Sequence, residues 1–102
     1  MKNTEALEIT TFRLNGFSCK EFIEANTEID HFLKRQPGFR SRKIVQQNDG
    51  TIADILIWDS VKNGTDSMHR LMDELADSVV HDMIDQSSVN WNISKVEHDL
   101  IN

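Results

Sequence analysis

Four histidines (His31, His69, His81 and His98), one cysteine, two tryptophans and Asn26 are the side chains here best suited to chemistry. No histidine falls in a His-x-His or His-Glu-x-x-His pattern, so no metal motif stands. Asp77, His81 and Asp85 lie at offsets of four. On one continuous helix they would form a carboxylate–imidazole–carboxylate stripe open to a divalent ion, or simply a solvated polar face. His69 with Asp73 repeats the spacing, and a carboxylate one turn away biases an imidazole toward its charged form. Cys19 stands one residue after a helix cap, where backbone amides favour a thiolate, and Lys20 follows it. With no histidine beside it in sequence to act as base, a half-buried packing cysteine is the competing reading.

Trp58 and Trp91 fall in strand-like runs, where an indole offers apolar surface and a single donor either to a small cavity or to an ordinary core. Asn26 borders the apolar stripe of the first helix, placed to orient a ligand oxygen or to face solvent. His69 and Asn26 are the candidate catalytic residues, and Trp58, Trp91, Phe22 and Met72 the candidate ligand-binding set. Lys34, Arg35, Arg40, Arg42 and Lys43 place five cations within ten positions. Such a cluster either attracts an anion through its guanidinium forks or keeps an edge strand from pairing with strangers.

The elements that must position these groups are legible from pattern. The chain has 102 residues, 38% of them hydrophobic and 27% charged, which fits one globular domain over residues 1–102 with its core between about 7 and 98. Eleven basic against seventeen acidic residues give a formal charge of −6, which argues against nucleic acid as the main partner. No apolar run approaches a membrane span, and the first residues lack the apolar core of a signal peptide, so no membrane partner and a cytoplasmic location are expected. A single cysteine allows no internal disulfide and no zinc-type pair.

Leu7 to Leu14, closed by Asn15-Gly16, reads as a strand. Ser18-Cys19-Lys20-Glu21 is a capping box, with Phe17 and Phe22 spaced as a hydrophobic staple. From Ser18 one helix is expected to carry Phe22, Ala25, Ile29, Phe32 and Leu33 inward and to stop before Pro37-Gly38. Residues 39–47 and 51–59 flank Asn48-Asp49-Gly50 as a hairpin. Its first strand is heavily charged, whereas Ile55-Leu56-Ile57-Trp58 is apolar on both faces and needs cover on both. Helices of one subunit supply one cover, and a second copy of the chain is the simplest source of the other. After a loop through Asn63-Gly64 a second helix is expected from near Thr65-Asp66, with a break near Asp77-Ser78 and a short second piece through Ile84. A last strand is expected over Val89–Val96. The order is β-α-β-β-α-β, a ferredoxin-like α+β arrangement with an antiparallel sheet and one face free of helices. An RNA-binding reading of this order fails, since Thr51-Ile52-Ala53-Asp54-Ile55 lacks the basic-Gly-aromatic pattern.

Gln36-Pro37-Gly38-Phe39-Arg40-Ser41-Arg42, then Asp49-Gly50-Thr51, then Asp54-Ile55-Leu56-Ile57-Trp58-Asp59-Ser60 resembles the antibiotic biosynthesis monooxygenase-like family of the dimeric α/β barrel superfamily. The resemblance spans about residues 7 to 98. It implies two ferredoxin-like sheets paired face to face in a homodimer and, in some members, oxidation of polycyclic phenols by dioxygen without metal or flavin. Phenol-oxidising members tend to line their cavity with Tyr as well as Trp, Asn and Arg, and this chain has no tyrosine. Haem-degrading members resemble one another in an Asn on the first strand, a Trp in the second helix and a later His. Here Thr10 and Thr11 stand where the Asn would be sought, and the second helix has no Trp. The expectation is a cofactor-independent monooxygenase or related enzyme acting on a small aromatic or quinone-like compound, with no cofactor. The alternative is a non-catalytic homodimer that binds a small hydrophobic ligand or serves as an interaction protein.

Overall fold

Alternation in the first apolar run produces β1, Ala6–Leu14, and the computed structural model describes residues 4–102. The capping box forms as the sequence predicts: Ser18 Oγ accepts from the Glu21 amide at 3.1 Å and Glu21 Oε1 accepts from the Ser18 amide at 2.9 Å. The staple is different. Phe17 stays 43% exposed, while Phe22 turns into the core and meets Phe12 edge-on at 5.3 Å.

The single helix expected from Ser18 is two helices, α1 (Cys19–Ala25) and α2 (Thr27–Lys34), broken at Asn26. Asn26 Nδ2 donates to the Phe22 carbonyl at 2.7 Å, and its backbone N–H closes a tighter turn on Ile23, so the side chain takes over a carbonyl that a continuing helix would have used. Gly38, at φ +81°, then turns the chain into β2 (Phe39–Gln46). Gly50, at φ +89°, turns it again into β3 (Ile52–Trp58). Asp49 Oδ1 accepts the Thr51 amide at 2.9 Å and fixes that hairpin.

The next helix starts earlier than its pattern suggests. Ser60 caps α3 (Val61–Glu74) by accepting from the Asn63 amide at 3.1 Å, so Asn63-Gly64 lies in helix and not in loop. Gly64 is there for contact: a Cβ at that position would overlap Ile93 and Trp58. The break near Asp77-Ser78 is present and leads to α4, Val80–Met83. It also dissolves the stripe considered above, because Asp77 lies between helices, His81 on α4 and Asp85 on the last strand, β4. That strand runs Ile84–Lys95, five residues earlier in its start than expected, with a register shift opposite Thr11 to Arg13. The Ser88 hydroxyl accepts the Arg13 amide there at 2.8 Å, standing in for a ladder bond.

All strand pairs are antiparallel, in the order β2-β3-β1-β4, which is the ferredoxin-like sheet. The charged strand β2 is indeed an edge. Even-numbered residues of β1 and β3 face the helices, and Ala6, Phe12, Ile52, Leu56 and Trp58 join Phe22, Ile29, Phe32, Leu33, Val80 and Met83 in one core. Leu7 and Ile9 of β1 and Ile55 and Ile57 of β3 point to the other face, which carries no helix. No helix among the described residues is long and apolar enough to cross a membrane.

Candidate functional site

Glu8 stands on the central strand β1, on the face that packs under the helices, and is 7% exposed. Opposite it in register are Leu56 on one side and Ile93 on the other, so Trp58 and Trp91 are its diagonal neighbours on the two flanking strands. Both indoles turn toward it. Trp58 Nε1 donates to Glu8 Oε1 and Trp91 Nε1 donates to Glu8 Oε2, each at 2.8 Å. The two tryptophans of the chain are thereby tied to one buried carboxylate.

Burial pushes the Glu8 carboxyl above its ordinary value of 4.5; the indole bonds from Trp91 and Trp58 pull it back, and the nearby charge of Asp54 raises it while that of Arg42 lowers it. The second polar group is built around Arg42 of β2. Its Nε and Nη2 donate to the two oxygens of Asp54 at 3.0 and 2.7 Å, its Nη1 to Asp30 at 2.7 Å, and its Nη2 also to Asn26 Oδ1 at 2.8 Å. Burial works against the Arg42 charge, but the bonds and charges of Asp54 and Asp30 outweigh it and hold the guanidinium above its ordinary range. Four of its five N–H donors are committed in these bonds.

Sheet, α1–α2 and α3–α4 enclose a cavity of about 290 Å³ whose wall includes Glu8, Thr10, Asn26, Arg42, Ser67 and His81 among aromatic and aliphatic side chains. Met72, Val89 and Trp91 line it and are 52%, 39% and 37% exposed, so they mark its mouth. Trp58 is 1% exposed and forms its floor against Phe39, with ring centroids 5.5 Å apart.

The structure brings five of the six expected site residues to this cavity: Asn26, Trp58, Trp91, Phe22 and Met72. Asn26 is 2% exposed, not solvent-facing, and both ends of its amide are engaged by Phe22 and Arg42. His69 is the exception. It lies on the exposed side of α3, outside the cavity wall, because the face of that helix turned inward carries Ser67, Met68 and Leu71. His81 is the histidine that reaches the wall, and its Nε2 donates to the Leu75 carbonyl at 2.9 Å, clasping the end of α3 to α4. Cys19 packs against the core and does not line the cavity. Among the described residues no group of three His, Cys, Asp or Glu is arranged to hold a metal.

Glu8, Asp54 and Ser67 line the cavity although no sequence pattern marks them as site residues, and Arg42 stands out only as one of five clustered cations, open to an anion-binding or a charged-edge role. Only the bonds of Arg42 show that it points inward. The parity of Glu8 with Phe12 was the available signal, masked because Leu7 and Ile9 are apolar on the opposite parity.

No protein-family profile matches the chain, and no curated protein matches it. Solved structures do. SnoaB, a cofactor-independent oxygenase from Streptomyces nogalater, superimposes with a TM-score of 0.76 at 15% identity, over 97% of this chain and 99% of that one. The ActVA-Orf6 monooxygenase of Streptomyces coelicolor, solved with nanaomycin D, gives a TM-score of 0.75 at 12% identity, over 98% and 94%. A conserved protein from Methanosarcina mazei gives 0.72 at 8%, over 91% and 93%. The fold is therefore the ferredoxin-like α+β fold of the antibiotic biosynthesis monooxygenases, and at these identities the comparison speaks to fold.

Proposed function

We propose that the protein is a homodimeric, cofactor-independent monooxygenase acting on a small aromatic or quinone-like compound held in the cavity. The observation that carries this reading is the Glu8 carboxylate, buried at a cavity wall between two indoles, inside a fold shared with named oxygenases. Each Glu8 oxygen accepts one indole N–H and keeps a lone pair for a substrate. Burial that raises the carboxyl makes it a stronger base than a solvated glutamate, suited to taking the proton of an acidic hydroxyl or activated methylene.

An aromatic so deprotonated is electron-rich and can reduce dioxygen directly. At an activated ring methylene, one methylene and one dioxygen give one ketone and one water. The carbon gives up four electrons, one oxygen atom enters the product, and the other leaves as water with both hydrogens. Glu8 holds one of those hydrogens as a proton and returns it to the departing oxygen. Trp58, Phe22 and Met72 supply the apolar walls that position the ring and keep bulk water away.

The test is oxygen uptake with dithranol, an activated hydroxylated tricyclic arene, as substrate. Uptake in equal measure with ketone formation is expected, and Glu8→Gln is expected to lower kcat/KM by about a hundredfold or more, within the range for loss of a general base. Binding of dithranol without oxygen uptake would leave a ligand-binding module and sink the oxygenase.

A further inference from the structure

The cavity's hydrogen-bonding inventory defines the ligand more narrowly than its volume does. Ser67, on α3, is 1% exposed, and its Oγ is the one buried side-chain polar atom without a partner among the described residues. It lies one turn beyond Gly64, whose backbone rests against Trp58 and Ile93, so this face of α3 covers the floor of the cavity, and Ser67 is part of the wall. A buried hydroxyl left unpaired is costly, and native proteins keep few of them. Elsewhere in the wall Glu8, each of whose oxygens already accepts an indole N–H, offers its remaining acceptor lone pairs. The one Arg or Lys in the wall, Arg42, is engaged by Asp54, Asp30 and Asn26, so no uncommitted Arg or Lys charge faces the ligand, and His81, also in the wall, commits its Nε2 to the Leu75 carbonyl.

We infer that Ser67 and Glu8 act as a donor–acceptor pair that selects an electrically neutral aromatic ligand bearing both a carbonyl and a hydroxyl, the Ser67 hydroxyl donating to the carbonyl and Glu8 accepting from the hydroxyl. The same wall rejects carboxylates and phosphates, which would meet the Glu8 charge without a free cation to balance it. Ser67 is then a specificity-determining residue whose hydroxyl makes no bond that holds the fold. The inference rests on the cavity being the ligand site, as in the function proposed above, and its failure can be told from a failure of the chemistry.

Trp58 and Trp91 report on the cavity by their fluorescence, so binding can be read without labels. The probes are a monohydroxyxanthone, xanthone, xanthene and xanthone carboxylic acid, matched in size and differing in donor, acceptor and charge. The neutral hydroxyxanthone is expected to bind at least tenfold tighter than the carboxylate. Ser67→Ala is expected to weaken hydroxyxanthone and xanthone about five- to tenfold, the worth of one hydrogen bond, and to leave xanthene unchanged. Because the hydroxyl has no partner to lose, the same variant should keep or raise the urea midpoint of the ligand-free protein.

Equal or tighter binding of the carboxylate, a Ser67→Ala variant with unchanged affinities, or one with a lowered urea midpoint would each overturn the selection. So would absence of binding by all four probes. Neutral selection intact with no oxygen uptake from dithranol supports this inference and overturns the oxygenase alone. Oxygen uptake with Ser67→Ala affinities unmoved does the reverse.

Discussion

At the scale of single residues, Glu8 is the group on which most turns. Its carboxyl is raised by burial, so the folded chain holds that proton more tightly than the unfolded chain does. The linkage sign follows: Glu8 favours folding most fully below the unfolded value, near 4.5, and this contribution is lost as pH rises through the higher folded value. Glu8→Gln cannot titrate, so its urea stability relative to the parent protein should improve as pH rises across that window. Parallel pH curves for the two proteins would show that Glu8 is not desolvated. Turnover should run the other way, rising with pH as Glu8 ionises, with that limb absent in Glu8→Gln. Arg42 is the second such residue. Its side chain and that of Asp54 are 9% and 13% exposed, so removing the cation leaves a largely buried carboxylate unpaired. Arg42→Met should cost about 3 kcal/mol in urea denaturation, far beyond the roughly 0 to 1 kcal/mol of a surface ion pair. A loss under about 1 kcal/mol would mean that Asp54 finds water instead.

Among the elements, the breaks matter more than the helices. The interruption at Asn26 ends α1 on a side-chain bond and points Asn26 Oδ1 at Arg42, tying the helix pair to β2 and β3 beside the cavity. On the other side, α3 comes close enough to cover Trp58 only because residue 64 has no side chain. Gly64→Ala should therefore lift α3 from the sheet. A helical Ala gains about 1 kcal/mol in propensity over Gly, whereas overpacking costs roughly 1–3 kcal/mol, so the net change should be destabilising. A red shift of tryptophan emission should accompany it, as Trp58 loses its cover. A more stable variant with unchanged emission would contradict the close approach.

For the whole molecule, the sheet is finished on one face only. Leu7, 36% exposed, and Val45, 44% exposed, lie with Ile9, Ile55 and Ile57 on the side that has no helix. An apolar sheet face of this kind is a surface for another layer, and a second copy of the chain is the occupant that fits the proposed homodimer. Sedimentation equilibrium should give twice the chain mass, and Ile55→Asp, in the middle of that face, should shift the protein to monomer while leaving the helix-side cavity and its tryptophan emission in place. A parent protein that sediments as a monomer at micromolar concentration would remove the dimer from the proposal.

Order and type of the elements were determined by the sequence itself, because they depend on local physics: a capping box, three glycines that supply positive φ, a hairpin turn and the period of the apolar residues. The ferredoxin-like order, the break before α4 and the edge position of β2 were readable on that basis, whereas Asn26, Trp58, Trp91, Phe22 and Met72 stood as candidates that local pattern does not separate from ordinary core or surface positions. The helix break at Asn26, the early start of α3 and the displacement of His69 from the cavity were not readable. Each depends on a partner distant in the chain or on a cap without its usual sequence signature: Arg42 sixteen residues from Asn26, Trp58 and Ile93 against Gly64, Ser60 without a Glu or Gln three residues on. Glu8 shows the division best. Its type and strand were visible at once, but a lone glutamate in a strand reads as solvated until two tryptophans, fifty and eighty-three residues away, are seen to close on it. Local propensity is written along the chain, whereas desolvation and the pairing of buried charges exist only once distant segments are brought together.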